Sequence, residues 1–142
     1  MEDKFNLKRF VDAQSFTYDR ALKEIKNGRK LSHWMWFVFP QFHGLGKSRT
    51  SIEFSLNSSE ETISYLKHPI LGPRLIEITK LFLSTENKTA FEILGSPDDL
   101  KMNSSMTLFA GIQSEIDLFD SIVGKYFEGE RCSLTLKMLE DQ

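Results

Sequence analysis

Apolar residues recur at helical spacing in several separate stretches of this chain, and strand-like alternation is scarce. Tyr18, Ala21, Leu22 and Ile25 fall at i, i+3, i+4 and i+7, positions that line one face of a helix. Leu71, Leu75, Ile78 and Phe82 repeat the pattern at i, i+4, i+7 and i+11. Ile116, Phe119, Ile122, Val123, Tyr126 and Phe127 form a third stripe. Stripes of this kind are buried helix on helix, so the expected fold class is all-α, a compact multi-helix bundle of about seven to nine short helices. A chain of 142 residues has the size of one domain and can bury a core without disulfides. The expectation is a single domain over residues 1–142, with a core from about 5 to 127 plus a C-terminal helix.

Local punctuation fills in the boundaries. Asn6 is placed to cap a helical turn over Leu7–Ala13. The stripe from Tyr18 follows and ends at Gly28, after Lys23 and Lys26. Trp34–Phe39 is apolar all round; Ser32 could cap a short helix there and Pro40 would end it, but periodicity does not separate a buried helix from a buried strand. Gly44 and Gly46 set His43–Ser48 as a loop. Ser58-Ser59-Glu60-Glu61 starts a helix that Pro69 breaks. Pro73 fits the first turn of the next one. Thr89 opens a short helix that Gly95 closes, and Ser96-Pro97-Asp98-Asp99 starts another, with Ser96 as the cap, running to about Ile112. A last helix covers about Leu134–Leu139.

Composition excludes several classes. The longest apolar run, Trp34–Pro40, falls far short of the roughly 20 residues that span a bilayer, and MEDKFNLKRF does not read as a signal peptide. One cysteine, Cys132, forms no internal disulfide. A cytoplasmic setting follows as the expectation. The net charge of −2 is unevenly spread: residues 1–50 carry ten Lys/Arg and five Asp/Glu, and residues 51–142 carry eight and fifteen. A basic face that attracts an anionic ligand is the sharper reading of that asymmetry. Nucleic acid is disfavoured, because the basic stretch Lys23–Lys30 is short and no nucleic-acid-binding motif accompanies it. His33, His43, His68 and Cys132 are scattered, so no metal site and no cofactor are expected.

Chemistry concentrates in three places. Ser32–Ser48, SHWMWFVFPQFHGLGKS, holds both tryptophans, Trp34 and Trp36, with His33, Gln41 and Lys47 at its polar edges. Aromatics with a few polar groups line ligand pockets. Gly44, Gly46, Lys47 and Ser48 could wrap backbone N–H groups around an anion, although the Gly-Lys spacing is not that of a P-loop. The opposing reading makes Trp34, Phe37 and Phe39 core. The second place, Ser96–Phe109, puts Lys101, Ser105 and Leu108 on one helix side, with Asp98 and Lys101 able to pair and two hydroxyls, Ser104 and Ser105, mid-helix. The third, Tyr65–Leu75, offers Arg74 in a helix first turn, able to fork onto phosphate or carboxylate. A Ser105–His33–Asp98 set can be assembled on paper, as in any chain of this length. Cys132 has no nucleophile signature beside it.

The strings SHWMWFVFPQ, YLKHPILGPRL and GSPDDLKMNSSMTLF, with the opening FNLKRFVDAQ, resemble an uncharacterised bacterial family, domain-of-unknown-function family 1810, from about Phe5 to Phe127. Its members are often labelled calpastatin, but nothing in this chain looks like a protease-inhibitor repeat. The resemblance implies a mainly α-helical fold and no established activity. Position by position its pattern covers Phe10, Gln14, Tyr18, His33, Trp34, Trp36, Phe37, Pro40, Gln41, Gly44, Gly46, Ser48, His68, Pro69, Gly72, Arg74, Asp99, Lys101, Ser105, Thr107 and Phe109.

Two function classes follow. In the first, the chain binds a small anionic or nucleotide-like ligand and is possible as an enzyme, in style close to helical NAD/ADP-ribose-processing proteins. Trp34 or Trp36 then stacks on a ring, Lys47, Lys101 or Arg74 meets phosphate, and His33 serves as acid or base, with Lys101 and Ser105 beside it as catalytic candidates. Gln41, Gly44, Gly46, Ser48 and Asp99 complete the ligand-binding set. In the second class the chain is a non-catalytic protein-interaction module. Either way it is expected as a monomer or weak homodimer that does not engage a membrane.

Overall fold

The structure is a computed structural model that describes residues 3–113 and 115–142. Among the described residues there are nine helices: α1 (Lys8–Lys26), α2 (Met35–Val38), α3 (Arg49–Glu53), α4 (Ser59–Lys67), α5 (Leu71–Ser84), α6 (Ala90–Leu94), α7 (Asp98–Ile112), α8 (Leu118–Tyr126) and α9 (Ser133–Glu140). The described residues contain no strand, only one parallel bridge between Phe42 and Leu56. The fold is all-α, as the spacing of apolar residues predicts. None of the helices is long and apolar enough to cross a membrane.

The first helix differs from expectation. Instead of a short turn followed by a second helix, α1 runs unbroken. Its buried face is Phe10, Gln14, Tyr18, Ala21 and Ile25, and the polar Gln14 in the middle hides that continuity from a hydropathy pattern. The Gln14 amide donates to the Phe37 carbonyl (2.7 Å) and the Tyr65 hydroxyl (3.2 Å), and its oxygen accepts from Arg74 (3.3 Å), so the buried polar group is satisfied. Asn6 does not cap α1. Asp3 does, its two carboxylate oxygens accepting from the Leu7 and Lys8 amides at 2.8 Å each.

α1 ends as predicted. Gly28 has φ +78, its N–H reaches the Ile25 carbonyl (2.9 Å), and that of Arg29 reaches the Glu24 carbonyl (3.0 Å). This paired arrangement satisfies the last carbonyls of the helix. The Glu24 side chain then organises the next turn. It accepts from the Leu31 amide (2.7 Å), the Ser32 amide (3.0 Å) and hydroxyl (2.6 Å), and the Trp34 indole N–H (2.8 Å). Burial raises the Glu24 pKa, but these four bonds outweigh it and hold the carboxyl at about 2. Ser32 therefore serves Glu24 rather than capping α2, whose N-cap position is Trp34.

α4 and α6 follow the local signals. Ser58 accepts from the Glu61 amide. Thr89 and Glu92 form a reciprocal capping box ended by Gly95 at φ +77. α3 lies in a stretch where the sequence carries no apolar stripe; Ser48 caps it. Ser96 does not cap α7, whose N-terminal position is Pro97 without a side-chain cap bond. Arg9 ties α1 to this region: its guanidinium donates to the Glu53 and Ser55 carbonyls and pairs with Glu61 at 2.9 Å. At the α4–α5 corner, His68 Nδ1 accepts from the Ile70 and Leu71 amides, and a side chain on Gly72 would strike the Leu66 carbonyl.

α7 is the central helix, packed by α4, α6, α8 and α9. Every residue from Ser104 to Ala110 is buried. Its small hydroxyl residues let neighbours approach from several sides. Ser104 donates to the Leu100 carbonyl (3.2 Å) and Thr107 to the Asn103 side chain (3.1 Å).

Candidate functional site

The N-terminal half of α7, the loop between α2 and α3, and the segment leading into α9 surround a pocket of about 620 Å³. The loop contributes Gln41, Leu45 and Gly46; α7 contributes Leu100, Lys101, Asn103 and Ser104, after Pro97; the third wall is Glu130–Leu134. Two backbone bonds fix the loop, from His43 N–H to the Leu56 carbonyl (2.7 Å) and from Leu56 N–H to the Gln41 carbonyl (2.9 Å). At Gly46 a side chain would collide with Ser51, so only glycine allows this close turn. Asn103 donates to the Glu130 carbonyl (2.9 Å) and Thr107 accepts from the Cys132 amide (2.9 Å), which anchors the third wall to α7.

The electrostatics centre on Asp98. Its two carboxylate oxygens each take one lysine, Lys30 at 2.8 Å and Lys101 at 3.3 Å. Each lysine also lies against one tryptophan, Lys30 Nζ 5.4 Å from the Trp34 ring and Lys101 Nζ 4.6 Å from the Trp36 ring. Two ammonium groups against one carboxylate leave an excess positive charge here, and Lys101 carries it to the pocket wall. Attraction of an ammonium to an aromatic face contributes about 0.5–1 kcal/mol at an exposed site and more when water is excluded.

Cys132 stands at the N-terminus of α9 and lines the pocket. The Ser104 hydroxyl lies 3.4 Å from its sulfur. Burial pushes the thiol pKa up, but the Ser104 hydroxyl and the polar groups of Thr135 and Leu134 around the sulfur bring it below the ordinary thiol value. Sequence reading gave this cysteine no role. Its signal, a cysteine where a helix-capping residue belongs, is not distinctive in a string.

Of the residues singled out from the sequence, the fold brings Gln41, Gly46, Lys101 and Ser104 to one pocket, with Trp36 beneath Lys101. Asp99 sits half-buried in the first turn of α7. The others lie elsewhere. Trp34 is fully buried with its N–H on Glu24, so it cannot stack on a ligand. Ser105 is also fully buried, and its hydroxyl has no hydrogen-bond partner. Asp98 is held by two lysines, so the Ser105–His33–Asp98 set is not assembled. His33 is exposed and does not line the pocket. Lys47 and Ser48 are exposed; Ser48 caps α3, accepting from the Ser51 amide at 3.2 Å. Gly44, at φ +99, is exposed beside Met138. Arg74 lies over Tyr18 at 5.1 Å and donates to Gln14, bracing α5 against α1. Among the described residues no group of three or more His, Cys, Asp or Glu is arranged to hold a metal ion.

Fold and pocket together define an all-helical protein with a largely apolar, lysine-bearing cleft beside its central helix. Residues 4–139 match the family model described as "Protein of unknown function (DUF1810)", and the chain belongs to that family. It is similar to the crystal structure of the conserved hypothetical protein Rv1873 from Mycobacterium tuberculosis, at 45% sequence identity over 97% of this chain and 99% of that one, with a TM-score of 0.96. No curated protein matches the chain.

Proposed function

We propose that the pocket between α7, the α2–α3 loop and the start of α9 binds a small anionic, nucleotide-like ligand. The observation that supports this most is Lys101, braced on Trp36 and only partly neutralised by an Asp98 that it shares with Lys30. The start of α9 adds the positive end of a helix dipole. Gln41, Asn103 and Ser104 supply polar groups, while Leu45, Leu100 and Leu134 offer apolar surface to the uncharged part of a ligand. A volume of about 620 Å³ lies within the range of small-molecule sites.

The test is calorimetric titration of the protein with inorganic phosphate, AMP, ADP, ADP-ribose and NAD, with thermal stability followed in parallel. At a hundred times its dissociation constant a true ligand stabilises the fold by about 2.7 kcal/mol. Lys101→Ala should weaken binding by about tenfold or more, the cost of losing one charged hydrogen-bonding partner. Gln41→Ala should weaken it less. Failure of every compound to bind, or binding unchanged in Lys101→Ala, overturns the assignment.

A further inference from the structure

An open groove of about 1100 Å³ runs between α1 and α5, on a different set of residues from the pocket described above. Its floor is Leu22, Ile76 and Leu81, half-buried side chains that lean on the core without being covered. Lys23 and Lys26 stand on the α1 bank and Lys80 on the α5 bank, all exposed. Glu77 is the one acid along the groove, and it accepts the Tyr18 hydroxyl at 2.6 Å. Among the described residues none of the three lysines forms an ion pair.

The negative end of the α1 dipole accounts for Lys23 and Lys26. It does not account for Lys80, which lies across the groove and ahead of the last turn of α5. Three lysines against one glutamate give a local excess of positive charge on a chain whose net charge is −2. On the Lys23 side of α1, two turns nearer its N-terminus, Phe16 is 84% exposed, and the internal packing gives no reason for it.

An apolar floor between basic banks selects its occupant. The groove is too open to enclose a small ligand on most sides, as small-ligand sites do. It suits an element laid lengthwise, and helix-in-groove docking uses such a surface. Pro73 to Leu81 spans about 12 Å along α5, roughly two helical turns. We propose that this groove docks an acidic amphipathic helix of a partner protein. Apolar residues spaced i, i+3 or i+4, and i+7 would meet Leu22, Ile76 and Leu81, and flanking carboxylates would meet Lys23, Lys26 and Lys80.

The probe is a fluorescein-labelled peptide of about 14 residues, long enough for a few helical turns, with leucines at that spacing and glutamates on its flanks. A second peptide carries lysines in place of the glutamates. Both are titrated against the full chain by fluorescence anisotropy, with amide chemical shifts mapped by NMR. The acidic peptide should bind saturably, shift resonances on α1 and α5, and lose about tenfold or more in affinity to the triple charge reversal K23E/K26E/K80E, since opposing charges set such contacts. These lysines are exposed, but Lys23 and Lys26 sit at the negative end of the α1 dipole, so the variant, like Ile76→Asp, which tests the floor, is read only alongside its melting curve. Any of four results overturns the proposal: no saturation, equal binding of the basic peptide, indifference to charge reversal, or shifts confined to other helices. Displacement of the peptide by dodecanoate at lower concentration overturns it too, and makes the groove an acyl-carboxylate site.

Discussion

Lys101 Nζ sits 4.6 Å from the centroid of the Trp36 ring. This places the charge of α7 and the aromatic surface of α2 in one unit, although the two residues are far apart in the chain. It also assigns one face of Trp36 to a lysine, so the adjoining pocket presents the ammonium rather than that face of the indole.

Replacing Lys101 by Ala should therefore affect stability little and Trp36 clearly. Asp98 keeps Lys30 as its partner, so the loss is one aromatic contact and one shared ion pair, about 1 kcal/mol. The expected outcome is a melting point lowered by a few degrees with an unchanged far-ultraviolet spectrum, and a shifted Trp emission at 25 °C. A collapse of the fold would show that Lys101 is structural, and any binding loss in that variant could not then be assigned to the pocket.

Glu24 should make the protein acid-sensitive. Its folded pKa of about 2 lies below the ordinary carboxylate value, so its stabilising effect is complete above that ordinary value. It is lost as the pH falls from about 4.5 toward 2, and the full effect is on the order of 3 kcal/mol. Urea titrations at steps between pH 7 and pH 2.5 should show stability falling across that window. Glu24→Gln should be destabilised by about 2–4 kcal/mol at pH 7 and show a flatter pH dependence. Parallel curves for the two proteins would remove Glu24 from the account.

Ser105→Ala should be neutral or slightly stabilising. The hydroxyl is buried without a partner, and a buried unsatisfied polar group costs about 1–3 kcal/mol. Chemical denaturation checks this directly. A loss of more than about 1 kcal/mol would mean that the hydroxyl bonds to a group, such as a buried water, that contributes to the fold.

Cys132 should react with iodoacetamide at lower pH than an ordinary thiol. Its pKa is lowered, so a larger fraction is thiolate at a given pH, and the thiolate is the nucleophile. The rate-against-pH curve should have its midpoint below about 8.5, and Ser104→Ala should move that midpoint upward. A midpoint at or above the ordinary value would contradict the hydrogen-bonded arrangement at the start of α9.

The helices were legible where physics is local. The capping signals at Ser58 and Thr89, the stop at Gly28 and the stripe of α5 each depend on neighbours within a few residues. The errors arose where a distant group decided the matter. Gln14 made α1 look like two helices because its partners, Phe37 and Tyr65, are remote in sequence. Ser32 looked like a cap because nothing local announced that Glu24 would take its hydroxyl. The same holds for the candidate site. Lys101, Gln41 and Gly46 stood out by type and context, but the wall from residue 130 to 134 did not, since it joins them only through the packing of α9 on α7.

The two tryptophans look like one feature in the sequence because only Met35 separates them along the chain. Trp34 is sealed in the core with its N–H on Glu24, while Trp36 lies half-buried under Lys101. The chain thus carries two independent optical gauges. In a Trp36→Phe background the remaining indole reads the integrity of the molecule and the protonation of one carboxylate. In a Trp34→Phe background it reads the surroundings of the Lys101 ammonium at the cleft wall, so unfolding and a change at that wall can be followed as separate signals in the same spectral window.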